Sequence, residues 1–114
     1  MAQKRVILEL GTGNDLHGGD YTKAAVRAVQ DALHHSSLTM LRALKVDPKT
    51  QMFVNVTIGV QQPDKVDLAK VRASLPHGIV AVKAVKGGLD VADPDNNDPA
   101  VIASAAVSVR LELP

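Results

Sequence analysis

The sequence predicts an α+β fold, a four-stranded mixed β-sheet with two helices packed on one face. The predicted order is strand, helix, strand, helix, strand, strand. From Met52 to Val60, apolar and semi-polar residues alternate with the two-residue period of a strand. From Tyr21 to Ser36, small apolar residues recur at helical spacing. Two strands joined through a helix are expected to be parallel neighbours or near-neighbours by right-handed crossover.

The first strand is predicted over Arg5 to Leu10. Val6, Leu8 and Leu10 fall on one face of it, and Ile7 falls on the other with Glu9. Strand alternation therefore assigns Ile7 to the face that the helices leave uncovered.

Both helices have candidate N-caps. Asp20 can accept hydrogen bonds from the first turn of the helix Tyr21 to Ser36, with Thr22 as a second candidate for the same position. Asp67 is placed to cap a shorter helix, Leu68 to Leu75. The predicted buried stripe of the first helix consists of Ala25, Val29, Ala32, Leu33 and Ser36.

The third strand is predicted over Ile79 to Lys86, where Gly87-Gly88 interrupts it. A polar loop, Asp90 to Pro99, separates it from a long last strand, Ala100 to Leu113. We expect these last two strands to form an antiparallel hairpin.

Composition favours a single domain, residues 1–114, that assembles with copies of itself. The apolar share is 46%, yet there are only one Tyr, one Phe and no Trp. A thin core of small side chains is often supplemented by oligomerisation. The sheet face without helices would carry Ile7, Phe53, Ile102, Asn55, Thr57, Ser104 and Ser108. Such a face is normally covered, so we expect a homo-oligomer, with a trimer favoured.

Charge and composition argue against several classes of partner. With 13 Lys and Arg against 12 Asp and Glu, the chain lacks the basic stripe and stacking aromatics of a nucleic-acid-binding protein. No window approaches the ~20 apolar residues of a membrane helix. There is no cysteine, and the N-terminus lacks the apolar stretch of a secretory signal. We expect a cytoplasmic protein with no nucleic-acid or membrane partner.

The segment from Gly11 to Asp20 is the strongest candidate for a site. It places four glycines, two aspartates and a histidine between a strand and a helix N-terminus, where backbone N–H groups favour a ligand. The alternative is a tight connection whose glycines only turn the chain. The predicted ligand-binding residues are Asn14, Asp15, His17, Gly18, Asp20, Thr22, Lys23 and Arg27. Lys23 and Arg27 are either solvated charges or ligands for an anionic group.

Asp15 and His17 also form a candidate divalent-metal site, because carboxylate and imidazole are common ligands for such ions. Asp15 lies two residues from His17 and is placed to orient the imidazole or share a ligand. The pair Gly11-x-Gly13 lacks the third glycine of a dinucleotide fingerprint and the Lys-Ser/Thr ending of a P-loop. We therefore predict no cofactor other than this metal ion.

The run from Gly11 to Ala32 resembles the hallmark motif of a small family of conserved hypothetical proteins, and the resemblance covers nearly the whole chain. Asp15, His17, Gly18, Asp20, Thr22 and Lys23 match the motif. An apolar residue is usual at the position of Asn14, and Gln is usual at Gly19. The family has no established activity, so this resemblance implies none.

A shorter resemblance covers Leu75 to Gly88 and Ala103 to Val109, which look like one repeat of the ring-opening amidohydrolases. That family includes cyanuric acid hydrolase and barbiturase, and joins three such units around a shared site. Each repeat supplies a Lys and a Ser as base and nucleophile on a cyclic imide. By position Lys86 resembles the Lys and Ser104 the Ser. The alternatives are a strand-end lysine whose head reaches water and a small packing serine.

The sequence therefore predicts a homo-oligomer that binds a small polar ligand between subunits, with amide or imide hydrolysis as the expected chemistry. The loop Asn14 to Asp20 and the uncovered sheet face are expected to form the walls of the site. Two other classes stay open: a non-catalytic ligand-binding or regulatory module, and a divalent-metal-binding protein.

Overall fold

A computed structural model describes residues 2–34, 45–75 and 77–113 of the chain. Its elements are β1 (Ala2–Asp15), α1 (Tyr21–His34), β2 (Met52–Val60), a 3-10 turn (Pro63–Lys65), α2 (Leu68–Ala73), β3 (Ile79–Lys86), β4 (Leu89–Val91) and β5 (Ala100–Leu113). Ser36, predicted to end the first helix, lies outside the described residues. No helix in these ranges is long and apolar enough to cross a membrane.

The sheet is mixed and has five strands, not the predicted four. Its order is β1-β5-β2-β3, and β4 pairs with β5 beyond the end of β2. The central strand β5 is antiparallel to both β1 and β2, so those two are parallel near-neighbours, as predicted. The fifth strand was missed because β4 is only three residues long and lies within a segment dominated by loop-forming residues.

The expected hairpin between the third and last strands is wrong. Strand β3 lies parallel to β2, with Phe53 opposite Ile79 and Val60 opposite Lys86. At Gly87 and Gly88 the chain crosses the end of β2, and β4 then pairs with β5. Gly88 has a φ of +63°, and a Cβ there would clash with the carbonyl oxygen of Ile102. These glycines therefore pass the chain from one strand partner to another.

Strand β1 is longer than predicted, and its faces are reversed. The register against β5 shifts between Arg5 and Ile7, which is the signature of a β-bulge. One extra residue moves every later side chain to the other face. As a result Leu8 and Leu10 are 47% and 66% exposed on the face without helices, whereas Ile7 packs against the core.

The core lies between the sheet and the two helices. Met52, Val54, Val56, Ile58 and Val60 of β2 and alternate residues of β5 from Val101 to Leu111 are buried there. Helix α1 buries Tyr21, Ala24, Ala25, Ala28, Val29 and Ala32. Helix α2 contributes Val71, whereas Leu68 at its start is 40% exposed.

The opposite face of the sheet, here called the open face, has no described helix on it. One row across it contains Leu10, Ala106, Thr57 and Lys83, and the next contains Thr12, Ser104, Gly59 and Val85. In these two rows the central strands present small residues, and the outer strands mostly present longer ones. This part of the open face is therefore a shallow trough.

Candidate functional site

Two glycines of the motif belong to β1 and serve packing. Gly11 and Gly13 are buried under α1. A Cβ on Gly11 would lie within 3.0 Å of the backbone of Ala28 and Ala32. A Cβ on Gly13 would lie within 2.7 Å of the backbone of α1, including Ala24. These two glycines therefore allow close approach of helix and strand and are not loop residues.

The other two glycines form the loop. Gly18 and Gly19 have φ values of +92° and +61°, which favour glycine. Beside them Asp15 is buried, 4% exposed. Its Oδ2 accepts the backbone N–H of Asp20 at 2.9 Å. Asp15 thus fixes the shape of the loop from inside.

Cations from α1 partly neutralise this buried carboxylate. Lys23 Nζ lies 3.9 Å and Arg27 3.7 Å from Asp15 Oδ1. Arg27 also donates to the carbonyl oxygen of Asn14 at 2.7 Å. Asp20 caps α1, as predicted, by accepting the N–H of Lys23 at 3.1 Å. Part of the predicted ligand-binding set is therefore engaged in holding the loop to its helix.

Thr22 does not cap α1. Its hydroxyl accepts the backbone N–H of Asp67 at 2.9 Å and so joins the two helices, while Asp67 caps α2 by accepting from Ala69 and Lys70. A groove of about 440 Å³ runs along this side of α1 and is lined by Asp20, Thr22, Lys23, Arg27 and Lys70, among others. The structure thus places these predicted residues on the helix side of the molecule, away from the open face.

His17 is held by a residue that the sequence did not single out. Asp98, in the loop before β5, lies with Oδ2 2.9 Å from His17 Nδ1 and accepts the N–H of Gly18 through Oδ1 at 2.7 Å. The Gly18 N–H, and then His17, lower the pKa of the Asp98 carboxyl. Asp98, and not Asp15, is the carboxylate bonded to the imidazole.

The two residues of the predicted metal site, Asp15 and His17, make separate contacts. Asp15 is oriented towards Asp20, and His17 towards Asp98. In the described ranges, no three His, Asp or Glu side chains are grouped so that they could hold a metal ion. Metal binding by Asp15 and His17 stays a prediction.

A cavity of about 560 Å³ opens on the other side of the sheet. Its polar lining includes Thr12, Thr57 and Ser104, and glycine backbone forms the wall at Gly59 and Gly87-Gly88. Exposed apolar residues border it, Leu10 and Val85 in its lining and Leu8 and Leu89 further along the same face. A concave surface with a few hydroxyl groups and an apolar border is typical of sites for small molecules.

Lys86 and Ser104 both line this cavity. By strand alternation, however, the two side chains project from opposite faces of the sheet. Ser104 is opposite Gly59 on the open face, whereas Lys86 is opposite the buried Val60 and belongs to the helix side. The lysine that projects from the open face is Lys83, opposite Thr57. Two-residue alternation along β3 was the sequence signal that could have distinguished Lys83 from Lys86.

A third polar cluster ties the start of α1 to β4. The Tyr21 hydroxyl donates to Asp90 Oδ2 and accepts from Gln62 Nε2, the latter at 3.1 Å. Burial, and then Asp90, raise the pKa of Tyr21 above 10.0. Asp90 Oδ1 is buried and has no hydrogen-bond partner in the described part of the chain. The cluster connects β4, which leads out of the glycine wall, to the helix that follows the loop.

Fold and site together define a small α+β domain with one helix-covered sheet face and one open face. The chain belongs to a family of conserved hypothetical proteins, Lin0512_fam, whose model matches residues 5–109. The fold is similar to the crystal structure of an FtsZ-like protein of unknown function from Nostoc punctiforme. The two share 36% sequence identity with a TM-score of 0.85, and the match covers 99% of each chain. No curated protein gives a significant match.

Proposed function

We propose that this protein is a homo-oligomer that binds a small polar ligand in the open-face cavity, at the contact between subunits. The observation that carries the proposal is the cavity itself, which combines the hydroxyls of Thr12, Thr57 and Ser104 with exposed glycine backbone. Hydroxyl and backbone groups can satisfy both donors and acceptors of a ligand. The charged residues of the lining are Asp31 and Lys86, one of each sign, so the cavity suits a polar ring without net charge better than a strongly charged ligand.

The apolar border of the cavity supports self-association. Leu8, Leu10, Leu89 and Val91 are each about half exposed or more and project from the open face. Exposed apolar side chains around a polar centre are typical of an interaction site. A second copy placed on the open face would bury these side chains and close the cavity. A trimer is favoured by the resemblance to hydrolases that join three such units around one site.

Light scattering on the wild-type chain and on Leu10→Lys tests the assembly. The wild type is expected to be oligomeric at micromolar concentration, and the substitution is expected to give monomers by placing a charge in the contact. Leu68→Lys is the matched control, since Leu68 is also exposed but lies on α2. A monomeric wild type, or equal effects of the two substitutions, would rule out association through the open face.

Hydrolysis of a cyclic amide or imide is the chemistry that the cavity supports best. Ser104 Oγ would add to a ring carbonyl carbon, and the neutral amine of a lysine would accept the hydroxyl proton. That proton would then pass to the ring nitrogen as the C–N bond breaks, and water would release the acyl group from the serine. Both a serine and a lysine line the cavity. Lys86 is the candidate by resemblance, and Lys83 is the candidate by its face.

Barbituric acid and cyanuric acid are suitable probes, in binding measured by calorimetry and turnover measured by loss of ring absorbance. Ser104→Ala should abolish turnover and leave binding measurable. Ser108→Ala is the control, because Ser108 lies on the same face but further along β5. Comparing Lys83→Met with Lys86→Met identifies the base. Binding without turnover in the wild type would favour a non-catalytic binding module, and no binding of either probe would exclude this ligand class.

A further inference from the structure

We infer that Asp98 is a positioning residue that holds His17 in the tautomer with its proton on Nδ1, so that Nε2 is presented to solvent as a hydrogen-bond acceptor. The ligand group that this arrangement accepts is an N–H or O–H donor. His17 and Asp98 are on the loops beyond the strand ends, and the inference does not depend on the open-face cavity being a ligand site.

The assignment of the proton follows from the donors and acceptors present. An ionised carboxylate such as that of Asp98 has only lone pairs to offer and cannot donate a hydrogen bond. Nδ1 of His17 lies 2.9 Å from Asp98 Oδ2. In a neutral imidazole only one nitrogen carries hydrogen, and the nitrogen facing a carboxylate must be that one. Nε2 is left with its lone pair.

The position of Asp98 is fixed independently of the histidine. Its other oxygen accepts the Gly18 N–H at 2.7 Å, so both carboxylate oxygens are engaged with consecutive residues of the loop after β1. The following residue, Pro99, restricts the backbone of Asp98 to extended conformations. A Cβ on Gly19 would approach Pro99 Cγ to 3.2 Å, which shows how closely the two loops meet.

Most of the imidazole faces solvent, where a ligand can reach it. The His17 side chain is 86% exposed, far more than a histidine retained for packing. A fixed carboxylate behind a histidine is also the arrangement that sets the tautomer of metal-bound and catalytic imidazoles, where it directs the other nitrogen outward. Here the carboxylate comes from a residue 81 positions away in the chain.

Nitrogen-15 NMR of the free protein tests the tautomer without any ligand. The spectrum is recorded about two pH units above the ordinary histidine pKa of ~6.5, and the His17 signals are assigned from a His17→Gln variant. We expect a protonated Nδ1 and an unprotonated Nε2 in the wild type. Asp98→Ala should shift His17 towards the tautomer with the proton on Nε2, because this variant lacks the carboxylate that holds the proton on Nδ1.

Asp95→Ala is the matched control, because Asp95 is an exposed carboxylate in the same loop and its loss changes the net charge equally. It should leave the His17 tautomer unchanged. A wild-type His17 with its proton on Nε2, or a tautomer that Asp98→Ala does not move, would overturn the inference. Since the probe is a tautomer and not a ligand, failure here is distinct from failure of the proposed cavity function.

Discussion

A methyl group added at Gly11 or Gly13 should force helix α1 away from strand β1. Ordinary contacts of a Cβ begin at about 3.4 Å. A Cβ on Gly13 would have three backbone atoms of α1 within 2.7 Å, and the nearest, at 2.3 Å, would have to move by about 1.1 Å to reach an ordinary contact. The colliding atoms belong to the helix backbone, and no side-chain rotamer can relieve them.

Overpacking of a well-packed core costs about 1–3 kcal/mol, and a collision with backbone belongs at the upper end. We therefore expect Gly11→Ala and Gly13→Ala each to lower the free energy of unfolding by ~3 kcal/mol. For a domain of this size that is a fall of roughly 10 °C in Tm. Urea unfolding followed by circular dichroism measures the change.

Gly59→Ala is the matched control for the same chemical change in a strand. The atoms nearest to its Cβ would be backbone atoms of Gly87 and Gly88, at ordinary distances of 3.4 to 3.8 Å. Removing a glycine there is expected to be neutral or to stabilise by about 0.4–1 kcal/mol through the unfolded chain. If Gly11→Ala and Gly13→Ala unfold at the same urea concentration as Gly59→Ala, the close approach of α1 to β1 is not the reason for these glycines.

Other polar contacts give three further predictions. Asp20→Ala should cost ~1 kcal/mol of stability by removing the α1 cap, whereas Asp20→Asn, which keeps an acceptor oxygen, should cost less in the same urea assay. Tyr21→Phe should cost about 1–3 kcal/mol of stability because it leaves the Asp90 carboxylate without its donor. A variant that loses no more stability than an ordinary surface substitution would contradict this. Since Tyr21 is the only tyrosine, tyrosinate absorbance reports its ionisation alone. The pKa of Tyr21 is raised in the folded protein, so the stability that its neutral hydroxyl contributes is present below pH 10.0 and is lost as pH rises through the raised value. Hydrogen bonds lower the pKa values of Asp93 and Asp98, chiefly those from the Asn96 side chain and the Gly18 N–H respectively. The stability that the two carboxylates contribute is therefore present above pH ~3.8 and is lost as pH falls through the lowered pKa values. Replacing both with Asn should flatten the acid limb of the curve of stability against pH.

Much of the local structure was predictable because its signals lie within a few residues. The bounds of β2, β3 and β5 agree with the alternation of apolar residues. Asp20 and Asp67 cap the helices that follow them. The small residues of α1 do pack close to the sheet. Alternation, capping and helical spacing are local properties, and the sequence states them directly.

The site was less predictable, since a motif does not show which of its residues face a ligand. The sequence grouped the four glycines in one loop, but two of them lie in β1 under a helix. It paired His17 with the nearby Asp15, whereas the imidazole contacts Asp98. It joined the loop and the open face in one site, whereas the cavity and the α1 groove lie on opposite sides of the sheet.

By itself, therefore, the sequence determined the α+β class, the helix caps and the strands with clear alternation. Only the tertiary structure decided the partner of β3, the face of Leu8 and Leu10, and the bond between His17 and Asp98. The physical reason is that strand pairing and long-range hydrogen bonds depend on which distant segments meet. A single bulged residue near Val6 reverses a whole strand face, and no periodicity within the strand reveals which side its neighbours will cover.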